Sequence, residues 1–119
     1  MGRAQRQKGS RGELEVRDIF RRGGFGSDRT PNSGGLHIPA DVSVTFDGED
    51  CGLHVESKFH ERVRIREWIA QAEGDCPDGC VPIVAWRQSR MPWRVDLDLE
   101  TFVLLLAELH TLRRNGDGT

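Results

Sequence analysis

The chain has no run approaching the roughly 20 apolar residues that a membrane-spanning helix needs, which excludes an integral membrane helix. Its basic start, MGRAQRQKGSRG, is followed by no apolar core, so a secretory signal is not expected and an intracellular address is. Cysteine is scarce. The three residues Cys51, Cys76 and Cys80 are an odd number, which argues against a disulfide framework. The Cys76-x3-Cys80 spacing is wider than the tight pair typical of structural zinc, so buried or free thiols are the simpler reading. Repeats and low-complexity blocks are missing too. At 119 residues the chain has room for one core and one domain.

Charge is also nearly absent on average, at a formal −2. That average conceals a gradient. Residues 1–35 carry eight Lys/Arg against four acids, whereas residues 36–75 carry four against nine. A basic arm beside an acidic centre suits a protein that grips phosphates and holds a divalent cation, although a solvated basic tail would look the same.

Residues 1–9 read as a flexible basic arm and residues 10–119 as a single domain. A first helix is predicted from Arg11 to Arg22, with Ser10 and Glu13 at capping-box spacing and Gly23-Gly24 as its stop. Residues 26–37 are turn-rich, with a short strand near Arg29. Val42, Val44 and Phe46 then alternate with Asp41, Ser43 and Thr45, and Leu53 and Val55 alternate with His54 and Glu56. Period-two alternation predicts half-buried strands. With a two-residue turn at Gly48-Glu49, Asp47 faces Asp50, Phe46 faces Cys51, Val44 faces Leu53 and Val42 faces Val55. Asp41 then faces Glu56 on the opposite side. A helix is expected over Arg66–Gly74 with Trp68, Ile69 and Ala72 inward, then strands at Val81–Trp86 and Trp93–Val95. Asp98 should cap a last helix, Glu100–Leu112. This order implies an α/β domain with a mixed central sheet flanked by helices.

Two carboxylates directly opposite on one face repel each other, and a hard divalent cation is the natural compensation. Lys58 lies two residues beyond Glu56 and so projects from the same face. An ammonium there can stabilise developing negative charge or orient an attacking water. Two acids and a lysine on a metal suit phosphodiester hydrolysis. A solvated face with a surface ion pair is the plainer alternative. Glu13 shares a helical stripe with Val16 and Phe20, and reads either as a metal ligand or as the reach-back acid of its cap. His37, His54 and His60 read as unrelated surface histidines. Asn32-Ser33-Gly34-Gly35 taken alone is a turn.

The ordered series KGSRGELEVRDIF, SGG, PADVSV and HVESK resembles the archaeal-type Holliday junction resolvases, nucleases of the PD-(D/E)xK group that also occur in phages. The resemblance covers roughly residues 7–74. It implies a restriction-endonuclease-like fold and a homodimeric endonuclease that cuts four-way DNA junctions with paired symmetric nicks, using magnesium or manganese. By position it implies Glu13, Asp41 and Glu56 as the acidic, metal-holding site and Lys58 as the catalytic lysine. Ser33 would lie near the scissile phosphate, and Gln71 beside the site. The sequence departs from the family at Pro39-Ala40-Asp41, where one residue separates proline from aspartate, and its last third matches less clearly. Arg3, Arg6, Lys8, Arg11 and Arg29 are the expected DNA-backbone contacts. A restriction-like or nicking enzyme and a non-catalytic DNA-binding module on the same fold are the rival readings. The last helix carries Phe102, Leu105, Leu106, Leu109 and Leu112 on one stripe, widened by Val103 and Leu104, so it should be deeply buried or packed on a partner.

Overall fold

Arg3-Ala4-Gln5-Arg6-Gln7-Lys8 is a run of strong helix formers. In the computed structural model, which describes residues 2–30 and 40–117, helix α1 accordingly spans Arg3–Arg22. It starts two turns earlier than the sequence suggests, so residues 3–9, read as a flexible basic arm, are helical. Lys8 is tied to Glu61 far along the chain, a tertiary contact that helps hold the first turns. The capping-box reading of Ser10 and Glu13 falls with this, because both lie inside the helix. Gly12 costs helix propensity of about 1 kcal/mol relative to alanine, yet a Cβ there would sit 3.0 Å from the Phe59 Cβ and 3.3 Å from Trp93. Its bare backbone lets α1 lie close against the sheet.

The strands are β1 (Gly26–Arg29), β2 (Val42–Phe46), β3 (Glu49–Asp50), β4 (Leu53–Phe59), β5 (Val81–Arg87) and β6 (Arg94–Asp96). Helix α2 (Ile65–Asp75) links β4 to β5, and α3 (Leu99–Asp117) closes the chain. The sheet order is β1-β2-β4-β5-β6, with β3 on β2. Only β4 and β5 pair in parallel, across the α2 crossover; the other pairs are antiparallel. The result is the mixed sheet expected, with a helix on each face.

On one face Val16 of α1 packs on Val42, Val44, Val55, Ile83 and Ala85. On the other, Trp68 and Ala72 of α2 pack on Val84, with Ile65, Ile69 and Trp86 around them. Alternation along β4 therefore turns Val55, Ser57 and Phe59 toward α1 and His54, Glu56 and Lys58 toward α2.

The β2 hairpin turns one residue earlier than expected. Phe46 pairs with Glu49 and Thr45 with Asp50, so Asp47-Gly48 is the two-residue turn, and both residues have positive φ, 52° and 81°. That is the Asp-Gly type I′ geometry, whose twist matches the strands. The predicted Asp47–Asp50, Phe46–Cys51 and Val44–Leu53 pairs do not form, and the Val44 carbonyl accepts from the Cys51 N–H at 3.0 Å. Two extra residues beside Gly52, itself at φ 74°, then return the ladder to the expected Val42–Val55 pair.

Asp98 caps α3, its Oδ2 accepting from the Thr101 N–H at 2.9 Å and hydroxyl at 3.1 Å. Among the described residues no strand or helix packs along α3, and Leu99, Leu104 and Leu112 are 73, 66 and 69% exposed. Deep burial, one of the two alternatives for this helix, is thereby excluded. No helix among the described residues is long and apolar enough to cross a membrane.

Candidate active site

Asp41 ends the turn into β2 and is fixed at both ends. Its N–H donates to the Val55 carbonyl at 2.9 Å, and its Oδ2 accepts from the Ser57 N–H at 2.8 Å. Across the ladder Glu56 is 1% exposed. Burial, the Asp41 charge and a hydrogen bond to the Asp41 carboxyl together push the Glu56 carboxyl up to about 8, against the opposing pull of Lys58. Without a cation, this pair holds a proton that two ordinary carboxylates would have lost.

Glu56 has a second partner. His54 Nε2 stands 2.9 Å from Glu56 Oε1, and both side chains are 1% exposed. Burial holds the His54 imidazole below its usual range, although Asp75 and Asp41 pull the other way. In its Nε2–H tautomer the neutral ring donates to the carboxylate. The expectation of a surface histidine is therefore corrected: α2 covers this face and takes His54 into the interior. Its place on the acidic face of β4 was the available signal.

Lys58 Nζ donates to Gln71 Oε1 at 2.8 Å, so the glutamine on α2 does lie beside the lysine. A neutral acceptor orients the ammonium while leaving its charge uncancelled. Glu13 comes from the α1 side of the sheet and is held by Arg29 through Nη2 at 3.1 Å and Nε at 3.3 Å. Burial and the Asp41 charge raise the Glu13 carboxyl, and Arg29 lowers it. Glu13 is thus within electrostatic reach of Asp41, but Arg29 claims it. Arg29 also reaches Ser10 Oγ at 3.3 Å. Ser33, His37 and the Pro39 position lie outside the described residues.

Several expected phosphate contacts are already engaged. Lys8 pairs with Glu61, Arg11 stands 3.5 Å from Glu15, and both cations lie over the Phe59 ring. Arg3 and Arg6 are exposed on the first turns of α1. The cysteines are free, and Cys76 Sγ donates to the Cys80 carbonyl.

Among the described residues no three His, Cys, Asp or Glu side chains converge as a cation cage. A full three-acid set of Glu13, Asp41 and Glu56 is therefore not assembled. Magnesium, however, is commonly held by one or two carboxylates with water completing its shell. Asp41 and Glu56 offer two hard oxygen donors whose mutual repulsion is written in the raised Glu56 carboxyl. The pair fits such an ion.

A family model described as "Phage putative PDDEXK endonuclease" matches residues 4–115. No curated protein sequence matches the chain. Among solved structures, Hjc from Archaeoglobus fulgidus, a Holliday junction resolvase of an archaeal hyperthermophile, superposes with a TM-score of 0.51 at 21% identity. The match covers 75% of this chain and 76% of that one. At that identity the likeness speaks for the fold, which is restriction-endonuclease-like.

Proposed function

Because the chain belongs to this phage PDDEXK endonuclease family, we propose that it is a structure-selective endodeoxyribonuclease that resolves four-way DNA junctions by metal-dependent phosphodiester hydrolysis. The observation that carries this reading is the convergence of Asp41, Glu56 and a Gln71-oriented Lys58 on the α2 side of the sheet. Choice of the junction as substrate draws on the motif series in residues 7–74 and on the structural neighbour being a Holliday junction resolvase.

Asp41 and Glu56 would hold Mg2+ or Mn2+, which when bound polarises the phosphate and acidifies a water. The chain supplies the rest. The Ser57 N–H occupies Asp41 Oδ2 and the His54 imidazole occupies Glu56 Oε1, so Asp41 Oδ1 and Glu56 Oε2 would be the oxygens offered to a cation. Lys58 places an ammonium, fixed by Gln71, to stabilise the negative charge that builds on the attacked phosphate. Glu13 holds Arg29 at the edge of the site, where the guanidinium would be offered to a phosphate, and the resemblance to the resolvases implies a role for Ser33 at the scissile phosphate. The exposed Arg3 and Arg6, with Lys8 and Arg11, supply sequence-independent contacts to the backbone.

Paired incision needs two copies of the site. The exposed apolar face of α3 supplies a surface for a two-fold homodimer. An intracellular setting in a prokaryotic or phage-infected cell accords with a DNA substrate and with the phage family. The deciding experiment offers a fixed four-way junction, a linear duplex and a nicked duplex side by side with Mg2+. Symmetric paired nicks in the junction alone are expected. Equal cutting of the linear duplex would reassign the protein to the restriction-like or nicking enzymes. Binding without cutting of any substrate would leave a non-catalytic DNA-binding module.

A further inference from the structure

The connection between β4 and α2 is short, charged and held from three directions by Glu61. Its carboxylate accepts from Lys8 of α1 and, beyond β5, from the Ser89 N–H at 3.1 Å and hydroxyl at 2.6 Å. Its backbone carbonyl accepts from Gln88 Nε2 at 2.6 Å. These donors hold the Glu61 carboxyl down to about 2, so the anchor stays ionised at any working pH. An exposed loop fixed in this way presents its neighbours Arg62 and Arg64 in a set direction. Among the described residues the side chain of Arg64 makes a marginal contact, at 3.5 Å, with Glu67, and both arginines are exposed.

Between this connection and the start of α1 lies a cleft of about 670 Å³, walled by Lys8, Arg62 and Arg64 and floored by Phe59, His60 and Trp68. It adjoins the candidate site. Lys58 is close enough for its charge to act on His60 in the lining, and Trp68, also in the lining, lies one turn before Gln71, the partner of Lys58. His60 rests on Trp68, with ring centroids 5.6 Å apart. Partial burial there, then the charges of Lys58, Lys8 and Arg64, hold its imidazole below the usual range. Three cationic side chains thus stand within electrostatic reach of this ring. Glu61 is the carboxylate in its lining, and Lys8 offsets it. Cation-lined concavities concentrate anionic ligands, because low-dielectric walls focus the field.

We propose that this cleft binds the sugar–phosphate backbone of the DNA strand running away from the cleavage site, with Arg62 and Arg64 as its phosphate contacts and Glu61 as the anchor that sets their direction. The proposal rests on the nuclease reading of the adjoining site, but not on junction selectivity or on the ion. Arg62 and Arg64 lie outside the basic segment that sequence composition singles out. They sit in the acidic middle of the chain, and only the fold sets them beside Lys8.

The test measures binding of a fixed four-way junction against NaCl concentration in an Asp41→Asn background, where cleavage is silenced. Each neutralised phosphate contributes about 0.9 to the log–log salt slope on duplex DNA, so Arg62→Ala/Arg64→Ala should lower the slope by about 2. Arg94→Ala, on the far edge strand β6, should leave it unchanged. In the cleaving protein the double variant should raise KM while kcat at saturating DNA stays near the parent value. A slope and KM equal to the parent's would overturn the cleft assignment while leaving the nuclease standing. A lowered slope in a protein whose parent cuts no DNA would sink the nuclease reading and keep the cleft.

Discussion

Glu56→Gln offers the sharpest test of the carboxylate pair, because it predicts a pH dependence of stability with a definite sign. In the unfolded chain Glu56 loses its proton near the ordinary 4.5, but in the metal-free fold it keeps the proton up to about 8. Between those values the folded state binds more protons than the unfolded one, so stability falls as pH rises. At about 1.4 kcal/mol per pH unit, the displacement of Glu56 from 4.5 to about 8 amounts to roughly 5 kcal/mol at most. Glutamine keeps an oxygen for the His54 Nε2–H and cannot ionise. In urea titrations with a chelator at pH 5, 7 and 9, the variant should match the wild type at pH 5 and gain on it by several kcal/mol by pH 9. Millimolar Mg2+ or Mn2+ should narrow that gap at pH 9 by binding the ionised pair of the wild type. Stability curves that run parallel from pH 5 to 9 would refute the placement of a buried Glu56 carboxyl against the Asp41 charge.

Lys58→Ala should lower cleavage on the order of 10²-fold or more while Mn2+ binding by calorimetry persists. Gln71→Ala, which removes one orienting hydrogen bond of about 1 kcal/mol, should cost roughly fivefold. His54→Leu should weaken Mn2+ binding by about tenfold or more, as loss of a partner behind a metal ligand does. His54→Gln, which retains a donor for Glu56 Oε1, should restore much of that binding, and equal affinities for the two variants would reduce His54 to a core filler. Leu104→Glu should convert a sedimenting species of about twice the monomer mass into monomer; a wild type that already sediments as monomer would remove α3 as a dimer contact.

The parts of this molecule legible in its sequence are those governed by local periodicity. Alternation located β2 and β4, a short apolar run located β5, and helical spacing located α2 and the Asp98-capped α3. Contacts between distant segments were not legible. Gly9 reads as the end of an arm and Ser10 as a helix cap, but Lys8 meets Glu61 across 53 residues and α1 runs straight through both. The burial of His54 depends on α2 folding back over β4, which no window around residue 54 contains.

The hairpin shows why the carboxylate pair could be found although the turn was misplaced. Asp47-Gly48-Glu49-Asp50 contains two overlapping turn codes, Asp-Gly and Gly-x, and the type I′ Asp-Gly geometry is the one adopted. Starting the turn one residue earlier shifts every cross-strand partner by two positions, as Phe46 pairing with Glu49 instead of Cys51 shows. A further two residues near Gly52 undo that shift before Val42 meets Val55. Both displacements are even, and side chains alternate with period two. Neither can turn a residue to the other face of the sheet. A single inserted residue would have sent Glu56 and Lys58 to the α1 side, away from Asp41 and Gln71. Which face a residue occupies thus depends only on the parity of the register, and parity is what the alternation of Val42, Val44, Leu53 and Val55 encodes. The partner at each position depends on the full register, which the turn and the Gly52 irregularity set together.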